Sequence, residues 1–196
     1  MTNGLQTISP DEHRLVGDII AAGFADDPVN CWTFRNPAAL RPVYTEMARA
    51  LYLRVGFGHR CADKAASLWL PPGVHKHFGL RSTLTMARHI LGKGGVRAAR
   101  NALLIDQAME RKHPTSDHYY LFAIAARPEH QGKGYGGALM AKALERIDAQ
   151  QQPAYLENSK PENTSFYRRF GFDIVEELRV ADDAPPLLLM WRPAQS

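Results

Sequence analysis

The stretch that decides how this chain is read begins with Tyr119-Tyr120-Leu121-Phe122-Ala123-Ile124-Ala125-Ala126 and passes through Arg127-Pro128-Glu129-His130. It ends with Gln131-Gly132-Lys133-Gly134-Tyr135-Gly136-Gly137. Eight apolar residues stopped by Arg-Pro read as a strand. From Gly136 to Gln150 the periodicity becomes helical, with Leu139, Met140, Ala143, Leu144 and Ile147 on one face. Ala154-Tyr155-Leu156-Glu157 reads as the next strand. A strand, a crossover helix and a second strand of this size form a right-handed parallel unit, which commits the sheet to an α/β class. The glycines of the turn leave backbone N–H groups unobstructed ahead of the positive end of a helix. That is an anion cradle, and it predicts a phosphate-bearing ligand. An unliganded connection would avoid the conformational entropy that such glycines cost.

Working outward, Asn163 to Phe170 predicts a short helix ended by Gly171, with Phe172-Asp173-Ile174-Val175 and Leu187-Leu188-Leu189-Met190-Trp191 as antiparallel strands. Toward the N-terminus, Ser9-Pro10-Asp11-Glu12 has the capping pattern of a helix carrying Leu15, Ile19 and Ala22, ended by Gly23 and Asp26-Asp27-Pro28. A second helix is predicted from about Pro37 to Val55. A hairpin of His59-Arg60-Cys61-Ala62 and Ser67-Leu68-Trp69-Leu70 follows. Residues 80 to 112 read as two helices broken at Gly92-Lys93-Gly94-Gly95, an inserted helical cover.

The chain has 196 residues, 45% of them apolar and 22% charged, the size of one domain. Folding at this length buries roughly 70% of the unfolded chain's surface, so neither metal nor disulfide is needed to hold the core. Cys31 and Cys61 read as reduced thiols, and with no leader pattern and no apolar run near 18 residues the expectation is a soluble cytoplasmic protein with no membrane partner. The net charge of +4 suits an anionic ligand. Nucleic acid is not expected, because no basic stripe is interleaved with aromatics. His75 and His77 form a pair with no third ligand suggested nearby, so no metal is expected. Exposed sheet edges and helix faces would permit a homodimer.

A nucleotide P-loop is absent, since no GxxxxGK is followed by Ser or Thr. Gly132 to Gly137 nearly spells the dinucleotide fingerprint, and Glu157 lies 20 residues past Gly137. Against a dinucleotide fold, residues 127–131 separate strand from glycine where that fold turns at once, and only 39 residues follow Glu157. The whole string, an apolar strand, Arg-Pro and then Gln131-x-x-Gly134-x-Gly136, resembles the coenzyme A signature of the GNAT superfamily of N-acetyltransferases. Asn163-Thr164-Ser165-Phe166-Tyr167-Arg168-Arg169-Phe170-Gly171-Phe172 is similar to that superfamily's late helix. His118 to Leu121, Pro128 to Gly134, Pro153 to Ser159 and Phe24-Ala25-Asp26-Asp27-Pro28 look like the branch containing puromycin N-acetyltransferase.

The resemblance implies a mixed, partly splayed β-sheet flanked by helices, in a single domain with a helical insertion. Residues 1–112 would form the acceptor side and residues 113–196 the acetyl-CoA-binding core. It implies acetyl transfer from acetyl-CoA directly to a primary amine of a small molecule. A non-catalytic acyl-CoA sensor and the acetylation of a peptide or protein amine are the alternatives. The pantetheine arm would pair with Ile124, Ala125 and Ala126 at the splayed gap, and a strand N–H at Ala125 or Ala126 would polarise the thioester carbonyl. Gln131, Gly132, Lys133, Gly134, Tyr135, Gly136 and Gly137 would hold the pyrophosphate. Tyr167 would donate to the departing thiolate, or be a packed aromatic. Asn163 would bond the coenzyme or cap its helix. Glu157, at the carboxyl end of a strand, is the candidate general base, or else attracts the acceptor ammonium or makes an ion pair. Asp26 and Asp27 would bind the amine or end the first helix. Ala125 and Ala126 are smaller than the branched residues common there, which implies an acyl pocket of different size.

Overall fold

A computed structural model describes residues 4–195. Seven strands form one sheet: β1 (Leu5–Thr7), β2 (Phe57–Cys61), β3 (Ala65–Leu70), β4 (Tyr119–Ala126), β5 (Ala154–Asn158), β6 (Asp173–Leu178) and β7 (Leu187–Arg192). Their order is β1-β2-β3-β4-β5-β7-β6, and of the paired neighbours β4 and β5 alone run parallel. This is the mixed, partly splayed sheet expected from the sequence.

The helices are α1 (His13–Gly23), α2 (Pro28–Phe34), α3 (Leu40–Met47), α4 (Leu80–Lys112), α5 (Tyr135–Ala149) and α6 (Thr164–Arg168). Ser9 opens α1 through a reciprocal capping box with Glu12, preceded by one 3-10 turn. The predicted helix from about Pro37 to Val55 is a 3-10 turn, α3 and a π-helical turn at Ala48–Tyr52. The predicted break in the helical cover is a left-handed Gly95 inside α4 (φ 73°, ψ −170°). Two elements escaped the sequence reading. The strand β1 is too short for periodicity, and α2 starts at Asp26-Asp27-Pro28, which reads in the sequence as the end of α1 or an amine site and not as the start of a helix. The Asp27 carboxylate accepts the Asn30 N–H at 2.8 Å, and Pro28 takes the first helical position, so the same residues start a helix.

Two apolar layers sandwich the sheet. On one side, Leu68, Leu70, Tyr120, Tyr155 and Leu189 pack under α1, α2 and α3; on the other, Trp69, Tyr119, Leu121 and Leu156 pack under α5 with Met140 and Ile147. Alternation along a strand accounts for most of this division. It fails once, inside β4. Tyr120 shares the first layer with Ala123 and Ala125, so the parity changes between them. The pairing with β3 changes at the same place: Trp69 opposes Leu121 and Leu68 opposes Ala123, which leaves Phe122 as the extra residue of a β-bulge. The Phe122 ring stacks on Tyr52 of the π-helical turn, with centroids 3.8 Å apart and planes 9° off parallel.

Tyr52 is fully buried, and its hydroxyl has no hydrogen-bond partner among the described residues. Its value to the fold therefore lies in the ring. Tyr52→Ala is expected to cost about 3–5 kcal/mol in urea denaturation, whereas Tyr52→Phe should stay within about 0.5 kcal/mol of wild type. Equal losses in both variants would transfer the role to the hydroxyl.

Candidate active site

Beyond the bulge β4 turns away from β5. Their parallel pairing covers Tyr119↔Ala154, Tyr120↔Tyr155 and Leu121↔Leu156 and then ends. Ala123–Ala126 remain paired to β3, so the other edge of Phe122–Ala126 carries backbone groups with no strand partner. A cavity of about 620 Å3 opens along that edge, with Ile124, Ala125 and Ala126 on one wall and Glu157 and Asn158 across from them.

One end of the cavity is the glycine turn. Gly132 and Gly134 have φ of 71° and 85°, conformations that L side chains adopt at a cost, and a Cβ built on either would meet nothing within 4 Å. The space beside these amides is open at the N-terminus of the 15-residue α5, whose Gly134 cap offers no side-chain oxygen. Gly132, Gly134, Gly136, Gly137 and Gln131 line the cavity, and Gln131 Nε2 also donates to Ala126 O at 3.3 Å. Exposed backbone amides, a helix N-terminus and an unpaired strand edge fit a pyrophosphate followed by an extended amide-bearing arm. Two members of the turn point their side chains away from the cavity. Lys133 Nζ donates to Glu129 O at 2.7 Å, and the Tyr135 hydroxyl stands 3.4 Å from Lys64 Nζ; neither residue lines the cavity.

The opposite wall comes from α6 and the turn before it. Asn163 lines the cavity and makes no side-chain cap bond to α6, so its amide is available to a ligand. Tyr167 is buried in the same wall, and burial, reinforced by the negative charge of Asp27, pushes its phenol well above the ordinary range. It is therefore a neutral hydrogen-bond donor at physiological pH. Arg169 and Lys160 also line the cavity and give it cations that the sequence reading did not assign. With Arg168 and Arg169 adjacent in one short helical string, nothing in the sequence says which of them faces inward.

Asp26 and Asp27 are the candidate amine ligands, and the structure gives both carboxylates protein partners. Asp27 accepts from Ser159 Oγ at 2.5 Å, from Asn30 N at 2.8 Å and from Asn30 Nδ2 at 3.0 Å. Asp26 pairs with Lys160 Nζ at 2.6 Å, and that hydrogen bond and charge hold its carboxyl below the ordinary range. Together they clasp the α1–α2 corner to the loop after β5. Asp27 lines the cavity and Asp26 does not.

Glu157 holds the junction of two spaces. Its side chain is 4% exposed, and Oε1 has no hydrogen-bond partner among the described residues. The residue lines the large cavity and also a second pocket of about 20 Å3, bounded by Tyr120, His113, His75 and the end of α4. Burial, with the Glu157 charge second, drives the hydroxyls of Tyr120 and Tyr155 far above their ordinary pKa. The Glu157 carboxylate thus sits among neutral phenols whose hydroxyls can turn to it, while its Oε1 makes no hydrogen bond within the described residues and is open to a molecule that brings N–H groups. His113, which the sequence reading did not single out, stands with Nδ1 3.8 Å from that oxygen.

Comparison with known proteins agrees with this geometry. Residues 95–174 match the family described as "Acetyltransferase (GNAT) domain". An uncharacterized N-acetyltransferase of Schizosaccharomyces pombe is 31% identical over 206 residues, spanning 94% of this chain and 81% of the yeast protein. The structure described as histone acetyltransferase HPA2 and related acetyltransferase from Corynebacterium glutamicum superposes with a TM-score of 0.75 at 22% identity, covering 100% of this chain and 98% of that one. A polyamine N-acetyltransferase of Drosophila melanogaster has a TM-score of 0.60 at 15% identity, covering 96% and 99% of the two chains. The splayed parallel pair, the glycine cradle at its mouth and the near full-length yeast relative lead to one conclusion: the chain belongs to the GNAT family of acetyltransferases.

Proposed function

We propose that this protein transfers an acetyl group from acetyl-CoA directly to the primary amine of a small molecule. The observation that carries the reading is the position of Glu157, a buried carboxylate whose Oε1 has no hydrogen-bond partner among the described residues and which borders both the wide cleft and the narrow pocket. The wide cleft suits the donor. The narrow pocket, closed over by the end of α4, leaves room beside Glu157 for an amino group rather than for a peptide chain. Similarity to the puromycin N-acetyltransferase branch and the polyamine acceptor in the name of the fly protein favour the same acceptor class. Residues 1–112 then supply the acceptor side, and residues from 113 onward hold the donor.

Amides from Gly132 to Gly136 hold the pyrophosphate, and the open edge of β4 takes the pantetheine arm as an added strand. An N–H at Ala125 or Ala126 on that edge polarises the thioester carbonyl, an effect worth several kcal/mol where such donors are preorganised. Glu157 accepts the proton that the amine sheds as it attacks. Tyr167 donates a hydrogen bond to the departing sulfur. A thiol with an ordinary pKa of about 8.5 is a stronger acid than this buried phenol, so the tyrosine keeps its proton. The acetyl group passes in one step because neither thiol lies in the cavity. Cys31 is exposed near Ala25 O, and Cys61 is buried in another cluster, where burial pushes its thiol up.

The direct test is amine-dependent thiol release from acetyl-CoA across puromycin, polyamines, aminoglycosides and short peptides. Release with a small amine is expected. Release with peptides alone would move the acceptor class, and acetyl-CoA binding without release would leave a sensor.

Glu157→Gln and Tyr167→Phe are each expected to lower kcat by about tenfold or more with the acetyl-CoA Kd nearly unchanged; full turnover in both would refute the base and donor roles. Gly134→Val fills open space at a left-handed residue, so the acetyl-CoA Kd should rise at least about tenfold in calorimetry while the thermal midpoint moves by a few degrees at most. The raised pKa of Tyr167 keeps its hydroxyl protonated past the ordinary phenol value of about 10. Its ionisation should therefore leave kcat level through pH 9.5. An alkaline fall below pH 9 that disappears in Tyr167→Phe would contradict this.

A further inference from the structure

Behind Glu157 two histidines form a chain whose polarity is fixed by its far end. His118 is 6% exposed, and its Nδ1 lies 2.6 Å from the carbonyl oxygen of Ser116. A carbonyl only accepts, so the proton of His118 sits on Nδ1. Burial holds the His118 pKa below the ordinary histidine value, so the ring is neutral and its Nε2 presents a lone pair. That nitrogen lies 3.2 Å from His113 Nε2, which must therefore carry the N–H. The remaining nitrogen of a neutral His113, Nδ1, then presents a lone pair 3.8 Å from Glu157 Oε1. Two acceptors face each other 3.8 Å apart, beyond direct hydrogen-bond distance, so a proton passes between them only when a side chain shifts to close the gap.

We propose that His113 receives, through Glu157, the proton removed from the acceptor amine, and that His118 is the positioning residue that keeps His113 Nδ1 turned toward the carboxylate. The inference rests on the reading of Glu157 as general base. The balance is simple: an N–H bond of the ammonium breaks, its proton passes to Oε1, and an N–H bond forms at His113 Nδ1. Glu157 returns to carboxylate. The His113 side chain is 31% exposed, so the cation it becomes has contact with water and can release the proton there. Glu157 itself is too buried to exchange with solvent so readily. The rings of Tyr120 and Tyr155 stand edge-on to His113, with centroids at 5.0 and 5.2 Å, and fix its plane.

Nitrogen-15 NMR of the histidine rings tests the geometry in the unliganded protein. His118 should be the Nδ1–H tautomer and His113 the Nε2–H tautomer. Opposite tautomers would overturn the chain. Kinetics with acetyl-CoA and the fastest amine of the panel test the role. His113→Gln should lose about tenfold in kcat with the acetyl-CoA Kd unchanged, His113→Ala should be partly restored by free imidazole, and adding His113→Gln to Glu157→Gln should cost little more. Wild-type turnover in His113→Gln, or losses that multiply in the double variant, would refute the relay and leave Glu157 in place. Full turnover in Glu157→Gln would instead remove the base, and the relay with it.

Discussion

The site depends on one extra residue in a central strand. A bulge inserts a residue on one side of a ladder, bends the strand and sharpens its twist. Phe122 is that residue, and the parallel pairing of β4 with β5 stops immediately before it, at Leu121. Had the register continued, Phe122 and Ala123 would have paired with Glu157 and Asn158, and the mouth of the cavity would be closed sheet. The bend converts five residues of core strand into an edge that can accept an extended ligand. Tyr52 stacks on the Phe122 ring from the π-helical turn, so the helical first half braces the distortion.

The same divergence explains where the charged groups stand. Tyr155 and Leu156 pair with β4, but Glu157 and Asn158 continue alongside β7 after β4 has left. A carboxylate at the first position past the split is held by a strand on one side and borders a cavity on the other. It can then be buried and still meet a ligand. The end of α4 closes the space on the sheet's other face, and the clasp of Asp26 and Asp27 to Lys160 and Ser159 keeps the loop after β5 in place. Glu157 thus borders a wide cleft on one side and a narrow pocket on the other.

Much of this could be read from the residues in order. The strand, glycine turn and helix from Tyr119 to Gln150 declared themselves by periodicity and glycine placement, and Gly95 by the cluster around it. The bulge did not. All eight residues of β4 are apolar, so either parity buries them equally and no pattern marks the slip. The start of α2 was hidden because Asp-Pro ends one helix and begins another with the same chemistry. Within the site, sequence order puts Lys133 and Tyr135 among the glycines, but their side chains leave the cavity toward Glu129 and Lys64. His113 is separated from Glu157 by more than forty positions, and only the packing of α4's end against β5 reveals the pair.

The central claim is that the free edge of β4 and the glycine turn together hold the acyl donor. Amide hydrogen exchange with and without saturating acetyl-CoA measures this directly. The account predicts that the amides of Phe122–Ala126 on the open edge and those of Gly132–Gly136 slow together, while β6 and the outer face of α4 do not change. Saturable binding that leaves both segments unprotected, or that protects the glycine turn without the strand, would contradict it.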